Sequence, residues 1–127
     1  MKTIASNDYY TVSVDGLKNR LFLSASGMWV KEGEVKNLVP DVQAALAELQ
    51  PNLTILVDAR GMQGTSLPDL FVDAQKAAVA KGIKRVASVY ERESFFKLQA
   101  EEIAQTSGFP VKRFAAMEEA QAWLDEA

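Results

Sequence analysis

The chain has 127 residues, of which 48% are hydrophobic and 24% charged, a composition typical of a folded globular domain. Its net charge of −3 provides no basic field that would attract nucleic acid. The sequence contains neither cysteine nor histidine. This excludes disulfides, cysteine nucleophiles, Ser-His-Asp catalysis and metal sites built on those ligands. No cofactor and no metal is predicted.

The length predicts one domain spanning residues 1–127, with its core between about residues 9 and 124. The first residues, Met1–Asp8, lack the apolar stretch of a secretory signal. No segment reaches the roughly 20 apolar residues that a membrane-spanning helix requires. We therefore expect a cytoplasmic protein without an integral membrane segment.

Two strand-like runs open the core. Residues 9–14 alternate between apolar and polar side chains, and Asp15–Asn19 supplies turn residues before a second run at Arg20–Ser26. These runs predict a β-hairpin whose pairing ends at Gly27. An amphipathic helix follows over about residues 35–49. Pro40 predicts either a kink in this helix or a regular part that begins near the proline.

Two strand–helix units come next. Leu53–Asp58 is apolar without alternation and predicts a central strand covered on both faces, followed by a loop over residues 59–65. A helix then runs to Lys81, with Ser66 predicted as its N-cap and Asp69 as the partner in a capping box. Gly82 is typical of a helix end.

The remaining elements complete an α/β pattern. Residues 83–90 predict a strand, about 93–107 a helix, 111–114 a short strand and 117–124 a last helix. The order is β-β-α-β-α-β-α-β-α. It predicts a mixed sheet with an N-terminal hairpin, parallel later strands and helices packed on the sheet.

Three features resemble the STAS (sulfate transporter and anti-sigma-factor antagonist) fold. Gly27 is similar to the glycine that precedes the first STAS helix, and Leu53–Asp58 followed by Gly61 resembles the family's central strand. The tail Phe114–Leu124 resembles the Phe…Glu-Glu-Ala-x-x-Trp-Leu ending of the SpoIIAA-like, or STAS/SEC14-type, bacterial branch. The resemblance implies a STAS-like domain that regulates or binds proteins. It implies a kinase or an anti-sigma-type regulator as partner.

The loop before the second helix is the first candidate site. In anti-sigma-factor antagonists this loop carries a phosphorylatable serine or threonine, usually within Asp-Ser-Ser-Gly. Here Gly64–Asp69 reads Gly-Thr-Ser-Leu-Pro-Asp, which lacks both flanking residues. Thr65 and Ser66 are candidate phosphoacceptors, or candidate donors to an anion at the helix N-terminus. The alternative is that Ser66 only caps the helix.

The second candidate site is a ligand or partner surface at the carboxyl end of the sheet, where open α/β sheets bind ligands. Arg60 could bind a carboxylate or phosphate, or it could be solvated while Asp58 bonds the following turn. A further four side chains could wall a small apolar pocket or simply close the edge of the core. These four are Trp29, Met62, Phe95 and Phe96.

Three functions remain open from the sequence. The leading one is a non-catalytic regulatory or protein-interaction module, with a homodimer as a further option. The second is a carrier or sensor of a small apolar, lipid-like or anionic ligand, which requires a closed cavity near Trp29, Met62 and Phe96. The third is an enzyme limited to carboxylate, Ser, Thr, Tyr and Lys chemistry. The short charged runs at residues 81–85 and 91–93 are interpreted as solvated surface.

Overall fold

A computed structural model of the chain describes residues 1–91 and 94–127, with the side chain of Glu34 also outside the description. The predicted start of the third helix at Glu93 and the charge of Arg92 lie outside the described residues. The strands are β1 (Lys2–Ser6), β2 (Tyr10–Asp15), β3 (Arg20–Trp29), β4 (Leu53–Thr65), β5 (Ile83–Val89) and β6 (Val111–Phe114). The helices are α1 (Leu38–Ala47), α2 (Pro68–Lys81), α3 (Phe95–Ser107) and α4 (Met117–Asp125), with a 3-10 turn at Gly33–Asn37.

The six strands form one mixed sheet in the order β1-β2-β3-β4-β5-β6. Strands β1 to β3 are antiparallel neighbours, and β3 to β6 are parallel. The predicted hairpin is β2–β3, in which Tyr10 lies opposite Ala25 and Asp15 opposite Arg20. The predicted element order is therefore confirmed from β2 onward, and β1 is an additional edge strand.

Alternation along the strands separates two cores. Ile55 faces a large cluster that also contains buried side chains of α1, α2 and α3. Its neighbour Leu56 faces the other way, into a smaller cluster with Ala120 and Leu124 of α4. Because successive strand residues point to opposite faces, three helices cover one face of the sheet and α4 covers part of the other. None of the helices in the described part of the chain is long and apolar enough to cross a membrane.

Strands β3 and β4 are longer than the sequence predicts. The hairpin pairing of β2 with β3 ends at Ala25, close to the predicted Gly27, but β3 continues: Gly27 adopts φ +89° and lies opposite Met62 in β4. The predicted loop over residues 59–65 is also wrong, because β4 continues to Thr65 through a bulge. A Cβ at Gly61 would lie 2.8 Å from Cβ of Ser26, so the two strands approach each other closely there only because residue 61 has no side chain.

The start of α1 and the ends of α2 and α3 follow the predicted residues. The regular helix α1 begins at Leu38, which confirms the second alternative for Pro40. Proline is tolerated in a first turn because the N–H it lacks would have no acceptor within the helix. Gly82 ends α2 with φ +106°, and Gly108 ends α3 in the left-handed conformation at φ +76°.

Candidate functional site

The carboxyl ends of β3 and β4 carry the predicted site. Their parallel pairing continues to the last residues, with Met28 opposite Gly64 and Trp29 opposite Thr65. Ser66 leaves the sheet directly into α2, while Phe95 and the rest of the first turn of α3 lie alongside β4. Two strand ends and two helix beginnings therefore meet here.

Thr65 is committed to structural hydrogen bonds. Its Oγ1 donates to the carbonyl of Trp29 at 3.1 Å and accepts from the backbone N–H of Leu67 at 2.8 Å. Gln99 of α3 clamps the same residue, since Oε1 accepts from the Thr65 N–H at 2.9 Å and Nε2 donates to the Thr65 carbonyl at 2.7 Å. Sequence reasoning missed Gln99, because its role depends entirely on where α3 packs. The buried Thr65 hydroxyl is a poor candidate phosphoacceptor.

Ser66 is exposed, and it does not cap α2 as predicted. Its backbone N–H donates to the Trp29 carbonyl at 2.9 Å, and its Oγ donates to the Val30 carbonyl at 3.2 Å. These bonds hold Ser66 in continuation of the strand, so the N-cap position falls on Leu67, which makes no side-chain cap bond. The predicted capping box with Asp69 is therefore wrong. Of the two candidate hydroxyls, that of Ser66 is the accessible one.

Asp58 and Arg60 bond to each other. Nε and Nη2 of Arg60 donate to the two carboxylate oxygens of Asp58 at 2.9 and 2.8 Å. The Arg60 side chain lowers the pKa of Asp58 below its ordinary 3.8, chiefly through this side-chain hydrogen bond. The Arg60 N–H also donates to Asp58 at 3.2 Å, within a strand that continues past both residues instead of ending in the predicted turn. A ligand would have to compete with Asp58 for the guanidinium.

Three predicted surface residues, Arg60, Met62 and Phe95, line one shallow groove. Asp58 instead lines a separate groove beside Met117 on the α4 face. The site residues predicted from sequence are thus divided between two surfaces. Met62 is buried, so it contributes to the floor of the first groove rather than to its rim.

The predicted apolar pocket is filled by its own aromatic side chains. Trp29 is 1% exposed, its ring stacks on Phe71 at 4.6 Å between centroids, and its Nε1 donates to the Ser26 carbonyl at 3.0 Å. Phe96 is also buried, 5.5 Å from Phe71 between ring centroids. A cavity of about 60 Å³, with room for roughly two waters, lies deeper under the helices. Phe71 and Phe96 line this cavity, whereas Trp29 and Met62 do not, so Trp29 closes the edge of the core.

Apolar side chains remain exposed at this end of the sheet and on the first turn of α3. Val30 follows Trp29 and provides the carbonyl that Ser66 Oγ contacts. Met28 and Gln99 both approach Gly64, each with an atom 3.3 Å from where its Cβ would be, which places Met28 beside α3. We call the exposed set the partner surface: Met28 (47% exposed), Val30 (56%), Ser66, Phe95 (62%) and Leu98 (62%).

The comparisons with known proteins agree with this architecture. The family model described as SpoIIAA-like matches residues 21–125. The chain belongs to the SpoIIAA-like family. This confirms the resemblance on which the predicted fold rested. No curated protein sequence is significantly similar to this SpoIIAA-like chain.

Solved structures share the SpoIIAA-like fold at low sequence identity. An uncharacterized DUF3478-family protein with a SpoIIAA-like fold from Shewanella loihica PV-4 gives a TM-score of 0.64 at 23% identity, covering 94% of this chain and 98% of that one. The anti-sigma factor antagonist SpoIIAA in its unphosphorylated form gives 0.64 at 11% identity, covering 93% and 97%. The Bacillus cell fate determinant SpoIIAA in the phosphorylated form gives 0.62 at 12%, covering 91% and 98%. At these low sequence identities, the structural similarity establishes only that the chains share a fold.

Proposed function

We propose that this SpoIIAA-like chain is a non-catalytic regulatory module that binds a protein partner through the partner surface. The observation that carries the proposal is that exposed apolar side chains of β3, the following loop and the first turn of α3 occur at the same end of the sheet as the accessible hydroxyl of Ser66. Apolar groups clustered at one site and mixed with hydrogen-bonding groups are typical of protein interfaces. Removing Met28, Val30, Phe95 and Leu98 from water would supply the favourable free energy of association.

The chemistry of the site favours binding over catalysis. An activated nucleophile needs a neighbouring base that takes its proton. Thr65 and Ser66 both donate to backbone carbonyls, which accept a hydrogen bond but do not take the proton. The carboxylate of Asp58 lies in a separate groove on the α4 face, is paired with Arg60 and makes no hydrogen bond to either hydroxyl.

The class of partner comes from the family. A solved relative is described as an anti-sigma factor antagonist, so the partner we propose is an anti-sigma-type regulator or a kinase. Such a partner would present an apolar patch that complements the partner surface. A second copy of this chain could present the same patch, and light scattering distinguishes that outcome because it reports the mass of the complex.

Ser66 is the residue through which binding would be regulated. A phosphate on Oγ would remove its hydrogen bond to Val30 and add a double negative charge at the start of α2. Asp69 already occupies the first turn of α2, so its carboxylate would repel that charge. We therefore expect a phosphate on Ser66 to be repelled from the start of α2 and to disturb the partner surface.

The experiment is a calorimetric titration with kinase-type anti-sigma regulators from the same genome. Phe95→Ser and Val30→Ser should each weaken binding about tenfold or more, as expected for apolar anchors at an interface. Leu17→Ser is the matched control, because Leu17 is fully exposed in the β2–β3 turn at the other end of the sheet. Equal weakening by Leu17→Ser would contradict the proposal, and so would unaltered binding by both site variants.

A second pair of variants tests the role of Ser66. Ser66→Asp should weaken partner binding about tenfold while leaving the melting temperature nearly unchanged, because residue 66 is exposed. Ser66→Ala removes the hydroxyl without adding charge and should bind nearly as well as the parent chain. If the two variants bind equally, charge at position 66 does not regulate the interaction.

A further inference from the structure

A second pocket lies at the amino end of the parallel strands, opposite the partner surface. The beginnings of β3, β4 and β5 carry Arg20, Thr54 and Lys84, respectively. These three residues line the same pocket. The pocket has a volume of about 260 Å³. Its lining is Lys18, Arg20, Asn52, Thr54, Lys84, Leu124, Asp125 and Ala127.

Arg20 is a buried cation that is only partly satisfied. The residue is 2% exposed, and its Nε donates to Oγ1 of Thr54 at 2.9 Å. Its Nη1 lies 2.9 Å from Oδ1 of Asp125, which balances the charge. Nevertheless, Nη1 has no N–H directed at an acceptor among the described residues. A buried donor without an acceptor is costly, so its retention calls for an explanation.

The pocket is positive although the chain is negative overall. Lys18, Arg20 and Lys84 contribute three cations, and Asp125 is the one acidic side chain in the lining, in a chain of net charge −3. The Lys18 ammonium lies 3.4 Å from the same Asp125 oxygen that faces Arg20. Lys84 forms no ion pair within the described part of the chain. A pocket whose lining carries more positive than negative charge attracts anions.

The backbone around the pocket is held in unusual conformations. Asn19 and Asn52 have φ of +51° and +66°, the two positive values found outside glycine in the described chain. Asn19 exchanges hydrogen bonds with the backbone of Gln50 at 3.0 and 2.8 Å, and the Asn52 N–H donates to Gly82 at 2.9 Å. Left-handed non-glycine residues cost free energy and cluster at functional sites. Here they fix the turns that position Lys18 and Thr54.

We propose that this pocket binds the phosphate group of a small molecule, and that Asp125 occupies the pocket when the ligand is absent. The Asp125 carboxylate demonstrates that an anionic oxygen can reach Nη1 of Arg20. A phosphate oxygen takes that position, and the remaining oxygens accept from Lys18 and Lys84. Asp125 is the last residue of α4, so its displacement breaks the ion pair that joins the end of that helix to Arg20 of β3. This site is independent of the partner surface.

The test uses inorganic phosphate at constant ionic strength, followed by calorimetry and by backbone amide NMR. Saturable binding is expected, with shifts at residues 18, 84 and 125 and none at Phe95. Lys84→Met should weaken binding at least tenfold, whereas Lys76→Met, an exposed lysine of α2, should leave it unchanged. Asp125→Asn should tighten binding about tenfold, because it removes the competing charge.

The outcomes separate a ligand site from a purely structural ion pair. If Arg20 and Asp125 only anchor α4, Asp125→Asn lowers stability without tightening phosphate binding, and Lys84→Met behaves like Lys76→Met. Either result overturns the proposal. Chloride at the same ionic strength must not reproduce the NMR shifts; if it does, the pocket has no preference for phosphate. Arg20 itself is left intact, since replacing a buried cation would also disturb folding.

Discussion

The two ends of the parallel strands differ in how their polar groups are hydrogen-bonded and in which side chains are exposed to water. At the carboxyl end, the polar groups of Thr65 and Gln99 bond to each other and to backbone, while apolar side chains such as Phe95 stay in water. At the amino end, Arg20 is buried with an unmatched donor beside the accessible Lys84. An exposed apolar surface fits a large partner that removes water, whereas a walled cationic pocket fits a small anion.

The first prediction tests which aromatic side chains at the carboxyl end of the sheet belong to the core and which belong to the surface. Trp29→Ala should lower the free energy of unfolding by about 3–5 kcal/mol, because it removes a buried ring stacked on Phe71. Phe95→Ala should change it by no more than about 0.5 kcal/mol, since Phe95 is 62% exposed. Urea denaturation measures the free energy of unfolding of both variants. A comparable loss in the two variants would mean that Phe95 belongs to the core and not to the partner surface.

A substitution at Gly61 tests the close approach of β3 and β4 near the carboxyl end of the sheet. Gly61→Ala should cost roughly 1–3 kcal/mol, because the new methyl group would lie 2.8 Å from Cβ of Ser26. Gly16→Ala is the matched control, since a Cβ there meets nothing within 4 Å. Thermal melts of the two variants give the comparison. Equal melting temperatures would rule out tight packing of the strands at the bulge.

Gln99 tests whether the polar clamp holds the site together. Gln99→Ala removes two part-buried hydrogen bonds to the Thr65 backbone and should cost about 1–2 kcal/mol. Hydrogen exchange at the Thr65 amide should accelerate more than exchange elsewhere. The exposed Gln105 provides the control, and Gln105→Ala should leave both measurements unchanged. Unaltered Thr65 exchange in Gln99→Ala would show that α3 does not clamp the strand end.

The smallest effect on stability is expected from Asp125, at the amino end of the parallel strands. The Arg20 guanidinium, 2.9 Å from the carboxylate, lowers the pKa of Asp125 below its ordinary 3.8, helped by Lys18. Asp125 therefore stabilises the fold above about pH 4, and this contribution is lost as the pH falls through the lowered pKa. Asp125→Asn should melt slightly below the parent chain at pH 7, and the two should converge as the pH falls below the lowered pKa of Asp125. A gap in melting temperature that is independent of pH would exclude the charge as its source.

Much of the fold could be predicted because each element has a local signal. The alternation in β2, the apolar run at the start of β4 and the glycines after α2 and α3 each encode an element within a few residues. The missed β1 has no such signal, because a short edge strand gains its order from pairing with β2. The second half of β4 carries Gly61 and Gly64, which are typical of a loop. Pairing with β3 overrides that local preference.

The candidate site was predicted only in outline. Neighbouring strand ends could be placed together, so Trp29, Ser66 and Phe95 were correctly assigned to one end of the sheet. Which side chain faces water was not available from sequence, since Trp29 and Phe95 are both aromatic and both follow a strand. Arg20 gave no signal at all, because a single arginine at a strand start is ordinarily solvated.

The sequence by itself determined the order of elements from β2 onward, because periodicity and turn residues act over short distances along the chain, and its motifs carried the resemblance to the SpoIIAA-like family. Only the tertiary structure decided the lengths of β3 and β4, the burial of Thr65 and the meeting of Arg20 with Asp125. Those features join residues from different elements, such as Arg20 of β3 and Asp125 of α4. Their geometry depends on how strands pair and helices pack, which no local pattern records.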